Sequence, residues 1–496
     1  MPPLPNHKSS VAVDLGAQSC RVSLLRWIDG APQITVVHRF PNAPLESHGA
    51  LRWDIAKIVA GVESGLRACA SQAPEGIASI AIDGWAVDYV RLDQDGQPVE
   101  NPFCYRDQRT EAAESAVHSI IPPSKLYSLT GIQLLRINTL YQLYADKLAG
   151  ADVRSPWLLI PEYITHRLGG RRVAEYTNAT HTSLVRLGAH QWCAELFQDL
   201  GLDPLAAPEI VPSGTIVGKV HGQLAELPQL RDTQLIVGAT HDTAAAIAAI
   251  PAAYAAAHDW AFISSGTWSL VGTVLDAPCV NNAARDQNFT NLGGAAGKIC
   301  FLKNVNGMWL LRQCMDEWQR AGHTTSLQQL IHACAALPSP KQLVNVDEPE
   351  LMLPGNTIHK INAQLQHAGI PPFSATDTSA IPKITNLIFH SLAARYAEVL
   401  SSIQQVTGKQ LRRLFIVGGG SQNHFLNRLT AARTGLQVLL GSVESTTIGN
   451  FAIQLAALEN AQSGNAATGV SAQSIARFAQ ELAVSPFTLS TSRETN

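Results

Sequence analysis

Charge is scarce in this 496-residue chain: Asp, Glu, Lys and Arg make up 15% of it, against about 25% in typical soluble proteins. Thirty-six basic and 39 acidic side chains leave a formal net charge of −3. That balance gives no electrostatic footprint for nucleic acid or an anionic membrane. An anionic ligand must be held locally. The eight cysteines (20, 69, 104, 193, 279, 300, 314 and 334) form no C-x-x-C pair and no zinc-type spacing. Reduced, mostly buried thiols fit so large a chain better than a disulfide framework. Long apolar runs are missing too. The opening MPPLPNHKSS lacks the apolar stretch of a signal peptide, and the alanine-rich stretch 244–257 is broken by Pro251 and ends at His258 and Asp259. A soluble, cytoplasmic protein is the expectation, and the N-x-S/T matches at Asn178 and Asn288 then carry no glycosylation meaning. No GxxxxGK[ST], HExxH or GxSxG occurs, which removes the usual support for P-loop, zincin and serine-hydrolase chemistry.

What is abundant is apolar sequence, at 46% of residues, enough for two large domains at roughly 100–200 residues or more each. Residues 10–27, SVAVDLGAQSCRVSLLRW, read as strand, polar turn and returning strand. The same unit starts again at 260–274, WAFISSGTWSLVGTV. A second correspondence pairs IASIAIDGWAVDYVRLD (77–93) with LRRLFIVGGGSQNHFL (411–426), each an apolar strand arriving at glycine and polar residues. Helical spacing runs through 386–406. A duplicated, mixed α/β architecture follows, with one domain over 1–245, a second over 246–496, and 465–496 a Ser/Thr/Ala-rich tail.

Four segments carry chemistry-bearing residues. Asp14 ends the first strand before Gly16 and a turn closing on Arg21, suited to phosphates and Mg²⁺, or simply a hairpin turn with a surface Asp. His241 and Asp242 precede a helix-forming alanine run, where Asp reads as an N-cap or as a base kept ionised by the helix terminus. His241 alone reads more readily as a structural histidine. VGGGSQN (417–423) lets backbone approach a flat ligand or a phosphate, without the spacing of a dinucleotide fingerprint. Asp83, Trp85, Asp88, Arg106, Asp107 and Arg109 gather in 83–110 as sugar-binding furniture, or as a hairpin turned at DQDGQ with surface ion pairs.

Taken in order, VAVDLGAQSCRV, IDGWAVDYVRLD with YRDQRT, ATHDTAAA, ISSGTWSLVG, NFTNLGGAAG with LKNVNGMWLL, and IVGGGSQNHFLNRLTA with GSVESTTIGNFAIQL resemble the FGGY carbohydrate kinases over residues 11 to about 458. SGTWSL and ATHDTA favour the branch acting on L-rhamnulose over those for glycerol or xylulose. The resemblance implies two ribonuclease-H-like domains of the actin-like ATPase superfold with an active-site cleft between them, and a ketose and ATP as partners. It implies Mg²⁺ served by Asp14, a phosphate-side turn from Ala17, Gln18, Ser19 and Cys20 to Arg21, and Asp242 as catalytic base. His241 and Thr243 would be its substrate-binding neighbours. Ala86 and Asn304 would contact the sugar, and Thr267, Arg312, Gly419 and Gly420 the nucleotide. The chain departs from the branch's pattern in reading Cys20 and Ala86 for glycine and Arg312 for glutamine. Another ketose such as L-fuculose, a non-catalytic sugar sensor, and an actin- or chaperone-like ATPase are the alternatives. The two aspartates speak against the sensor, and the HDT and DGWAVD segments against the ATPase.

Overall fold

The computed structural model describes residues 8–250, 252, 259–374, 377–464, 469–483 and 487–488. The chain divides into two compact units. The first comprises the described residues of Met1–Ala256, Val274–Phe301 and Ser445–Ala483, and the second those of Ala257–Thr273, Leu302–Glu444 and Val484–Asn496.

The first unit is built on β1 (Ser9–Leu15), β2 (Ser19–Ile28), β3 (Ala31–Pro41), β4 (Ile77–Gly84), β5 (Thr215–Lys219) and β6 (Gln234–Val237), in the order β5-β6-β4-β1-β2-β3. The first three strands form an antiparallel meander, β4 lies parallel to β1, and β6 parallel to β4. Side chains alternate across such a sheet. Val11, Val13 and Leu15 therefore enter a core with Ile58, Val62 and Leu66 of the helix α1 (Ile55–Gln72).

The other face is lined by small residues, Ala12 and Ala81 among them. It packs with α2 (Asp242–Ala248), α3 (Ser445–Gln462) and α4 (Ala472–Leu482). Small side chains let these helices come close. At Gly449 the approach to α2 is so tight that a Cβ would stand 1.8 Å from the Ala245 carbonyl oxygen. α4 is amphipathic and buries Ile475, Phe478, Ala479 and Leu482. This burial returns 445–483 to the first unit, a path that a single cut at 245/246 does not anticipate. It also gives part of the Ser/Thr/Ala-rich tail an ordered place.

In the second unit β7 (Trp260–Ser265) pairs antiparallel with β8 (Trp268–Leu275) and parallel with β9 (Arg413–Val417), which is parallel to β10 (Gln437–Leu440). The helix expected over 386–406 spans Ala380–Thr407. It admits Pro382 in its first turn, where no intrahelical N–H is missed, and stops at Gly408, whose φ of 74° suits only glycine readily. Both units repeat a hairpin whose first strand has a parallel neighbour on its other side. The duplication expected from the two strand-turn-strand starts is present, and the fold is the ribonuclease-H-like α/β arrangement. No helix among the described residues is long and apolar enough to cross a membrane.

Gly449→Ala should destabilise the first unit by about 1–3 kcal/mol, the usual scale of overpacking. Urea denaturation checks this. An unchanged midpoint would mean that α2 and α3 separate without strain.

Candidate active site

Asp14 and Arg21 face each other in the β1–β2 register, and Arg21 Nη1 lies 2.8 Å from Asp14 Oδ2. The turn between them is tight, since a Cβ on Gly16 would sit 2.5 Å from the Ser19 carbonyl oxygen. Asn42 braces it from both ends: its side-chain amide donates to the Gly16 carbonyl and its backbone N–H to the Gln18 carbonyl, each at 3.0 Å. Gln18 is exposed, and Ala17 and Ser19 are half-buried. Cys20 points into the core, where burial pushes its thiol up to about 12. The side chain is thus taken up by the core, and its thiol also donates to the Gly16 carbonyl of the turn at 3.8 Å.

Beside Asp14 stands Asp83, the first carboxylate of the 83–110 segment. In the parallel register Ser10 faces Ser79, Ala12 faces Ala81 and Asp14 faces Asp83. The helix α3 lays Gln454 and Asn450, one turn apart, along this small-residue face. Ser79 bonds the hydroxyl of Ser10 at 3.0 Å and donates to Gln454 Oε1 at 2.6 Å. Gln454 donates to Asn450 Oδ1 at 2.7 Å, and Asn450 to Asp83 Oδ2 at 2.5 Å. The other oxygen of Asp83 is buried without a hydrogen-bond partner. Burial first, then the charge of Asp14, holds the Asp83 carboxyl well above the usual range. A signal for it exists in the sequence: SVAVD (10–14) and SIAID (79–83) are the same pattern twice.

The segment leading to Asp242 is anchored on two buried carboxyl groups. Thr240 donates its hydroxyl to Glu162 Oε1 at 2.6 Å and its N–H to Glu175 Oε2 at 3.0 Å. Ser213 and Thr177 also donate to Glu175, at 2.6 and 2.5 Å, and burial pushes Glu162 up to about 7. His241 is the N-cap residue of α2 but makes no capping bond through its side chain. Asp242 therefore stands one residue inside the helix, with its carboxylate bonded to the side chain and backbone of Thr243. The Thr243 hydroxyl donates to Asp242 Oδ1 at 3.1 Å, and His241 Nε2 lies 3.3 Å from the same oxygen. Burial pushes the Asp242 carboxyl up to about 6, opposed by its bonds to Thr243. Since 38% of the side chain remains open, solvent tempers that push.

The turn after β4 runs from Gly84 to Asp88. A Cβ on Gly84 would press on Leu15 at 2.8 Å, and Trp85 N–H donates to the Leu15 carbonyl at 3.3 Å. Ala86 is half-buried with an ordinary backbone conformation, whereas Val87 has a φ of 71°. A β-branched residue there is strained by about 1–3 kcal/mol. Its carbonyl is held by Thr139 Oγ1 at 2.7 Å and Gln142 Nε2 at 3.3 Å. Asp88 receives the indole N–H of Trp53 at 2.6 Å and of Trp85 at 3.0 Å. Asp107 receives the N–H groups of Leu51 and Arg109, and Arg109 pairs with Asp146. These tryptophans and charges hold the turn in shape, which is a supporting role. The DQDGQ turn forms, but it closes a single bridge, between Leu92 and Pro98.

In the second unit, Gly266 and Thr267 form the β7–β8 turn, and their carbonyls accept from Met308 and Trp309 N–H at 3.1 Å. The helix Trp309–Arg320 begins there. The strand β9 delivers the chain to Gly418, Gly419 and Gly420. A Cβ on Gly420 would fall 1.9 Å from Ser265 Oγ, while Gly419 has open space. The glycines therefore serve close backbone packing at one position and an accessible surface at the next. Asn304 lies half-buried on the strand Ile299–Asn306. Arg312 is 58% exposed and pairs with Asp316 at 3.0 Å along its own helix. Among the described residues no group of three or more His, Cys, Asp or Glu is arranged to hold a metal ion.

Comparison with known proteins agrees with this geometry. Residues 10–249 match the family model for the N-terminal domain, and residues 261–458 that for the C-terminal domain, of the FGGY family of carbohydrate kinases. The chain is 38% identical over 457 residues to a protein of Yersinia pestis named rhamnulokinase, covering 90% of each. It is 34% identical over 461 residues to an Oceanobacillus iheyensis protein of the same name, covering 91% of this chain and 93% of that one. In fold it resembles the ligand-bound xylulose kinase from Lactobacillus acidophilus, with a TM-score of 0.76, 16% identity, and 97% and 93% of the two chains covered.

Asp83 yields a pH-dependent expectation. A carboxyl group raised in the folded state binds its proton more tightly there than in the unfolded chain, so its contribution to stability declines as pH rises above the ordinary carboxylate value. Asp83→Asn keeps the shape and an acceptor for Asn450. The stability of this variant relative to the natural protein should therefore increase from pH 5 to pH 8 in thermal melts. A gap that narrows over that range would mean Asp83 is ionised and favourably paired.

Proposed function

The chain belongs to the FGGY family of carbohydrate kinases, and from that premise we propose that it phosphorylates L-rhamnulose with ATP at the primary hydroxyl, giving L-rhamnulose 1-phosphate in the cytoplasm. The shared name of the relatives supports the sugar. The observation that carries the chemistry is Asp242: a carboxylate presented at the start of α2, in no ion pair with Lys or Arg among the described residues, and raised toward 6 by burial. A base poised there accepts a hydroxyl proton as the oxygen attacks the γ-phosphorus in line. Thr243 and His241 hold the carboxylate's orientation.

Mg²⁺ fits the residues present if one or two carboxylates hold it together with the phosphates, the usual arrangement for this hard cation. Asp14, with Asp83 beside it and one Asp83 oxygen free of protein partners, supplies oxygen donors of the right kind. Bound there, the ion would neutralise charge on the transferring phosphoryl group. Backbone N–H groups of the Ala17–Arg21 turn are the phosphate-side donors in this reading. Thr267, Gly419 and Gly420 serve the nucleotide, and Asn304 the sugar. Arg312, paired with Asp316 on the surface, is the weakest member of the nucleotide set.

Asp242→Asn should cut kcat by about 10²–10⁴ with a smaller effect on sugar binding. In the natural protein kcat/KM should fall about tenfold per unit as pH drops below about 6, because the base becomes protonated. Near-normal turnover by a folded Asp242→Asn protein would remove the assignment.

ADP release measured over L-rhamnulose, L-fuculose, D-xylulose, L-ribulose, D-fructose and glycerol should give the highest kcat/KM for L-rhamnulose. A clear preference for another of these would replace the substrate while leaving the chemistry. Because Ala86 has an ordinary backbone conformation, Ala86→Gly should keep L-rhamnulose preferred and change discrimination against L-fuculose by only about 1–3 kcal/mol.

A further inference from the structure

Behind His241 lies a second histidine, His181, on the tight turn Thr180–Thr182. Its Nε2 is 3.1 Å from His241 Nδ1, and the ring centroids are 3.9 Å apart. Both side chains are more than nine-tenths buried. The turn that carries His181 is itself fixed: Asn138 Nδ2 donates to the His181 carbonyl at 3.1 Å, and Thr180 Oγ1 accepts from Gly293 N–H at 2.9 Å. Burial disfavours the charged form of both rings, so two neutral imidazoles share one proton across their contact.

Where that proton resides follows from what lies on the far side of His241. Its Nε2 faces Asp242 Oδ1 at 3.3 Å. If His241 carried its proton on Nδ1, an Nε2 lone pair would point at a carboxylate. If His181 donates from Nε2, His241 must accept at Nδ1 and carries its own proton on Nε2, toward Asp242. Only the second arrangement is electrostatically favourable. We propose that His181 is a positioning residue for phosphoryl transfer: by donating to His241 Nδ1 it fixes His241 as the Nε2–H tautomer and so orients the Asp242 carboxylate. The inference rests on the reading of Asp242 as the base. His181 acts through its neighbour His241.

His181→Phe keeps a buried ring but removes the donor. His181→Gln returns an N–H near the Nε2 position, and His181→Asn carries an amide too short to reach. With L-rhamnulose and Mg²⁺-ATP, His181→Phe and His181→Asn should lower kcat about tenfold with less change in the KM of ATP, while His181→Gln recovers most of the loss. Placed in an Asp242→Asn background, His181→Phe should cause no further loss. Normal kcat in folded His181→Phe and His181→Asn proteins would overturn the proposal. So would equal losses in all three variants accompanied by matching falls in melting temperature, since that marks a packing role. Near-normal turnover of Asp242→Asn alone would instead overturn the reading on which the proposal stands. Should His181→Phe fail to fold, the Asn and Gln pair decides, because both fill the site with an amide and differ in reach.

Discussion

The parallel register of β1 against β4 is the constraint on which the first unit depends. Two copies of one pattern, serine, apolar, alanine, apolar, aspartate, lie side by side so that every pair matches its own kind. The apolar members fill the core toward α1, and the small members make room for α3 on the opposite face. A slip of one residue in either strand would turn its aspartate into the apolar core. The ladder from Ser10 through Ser79, Gln454 and Asn450 to Asp83 opposes that slip. The four bonds of the ladder form only in this register, and losing one leaves a desolvated donor or acceptor at about 1–3 kcal/mol.

Asp242 is aimed by different means. Glu162 and Glu175 are buried carboxyl groups serving hydroxyl and amide donors, with Thr240 receiving support from both. Such groups are worth little as isolated ion holders, but a fully satisfied network fixes geometry. Thr240 also returns its carbonyl to Gly84 N–H at 3.0 Å, which ties the His241–Asp242 segment to the end of β4. The turn bearing Ala86 and the start of α2 are therefore one mechanical piece.

Much of this was legible in the sequence, for reasons that can be named. Strand, turn and helix periods are local, so both hairpins, the α/β class and the long helix ending at Gly408 could be read directly. Asp14 and Asp242 stood out because each follows an apolar run and precedes a turn or a helix. Asp83 was less legible as a neighbour of Asp14. Its pairing is made across 69 positions in the parallel register, and strand periodicity alone does not rank one carboxylate above another. Glu162, Glu175 and His181 escaped entirely, since nothing in their own segments distinguishes a buried, satisfied side chain from a surface one. Trp85 and Asp88 stayed open between two roles, because an indole beside a carboxylate looks the same in sequence whether it meets a sugar or supports a turn.

The three departures from the family pattern share a physical logic. Cys20, where the resemblance implies glycine, sends its side chain into the core, and its thiol bonds back to the Gly16 carbonyl. Ala86 replaces glycine where the backbone is ordinary, the positive φ having fallen on Val87 instead. Arg312 replaces glutamine on an exposed helical surface, where Asp316 takes up its charge. In each case the side chain leaves untouched the close backbone at Gly84 and the register that sets Asp14 beside Asp83. The strain at Val87 is the exception that requires support, and Thr139 and Gln142 give it by holding the carbonyl from outside the turn. The scaffold around Asp88, held by the indoles of Trp53 and Trp85 and by the Gln142 amide, fixes the same turn from its other end.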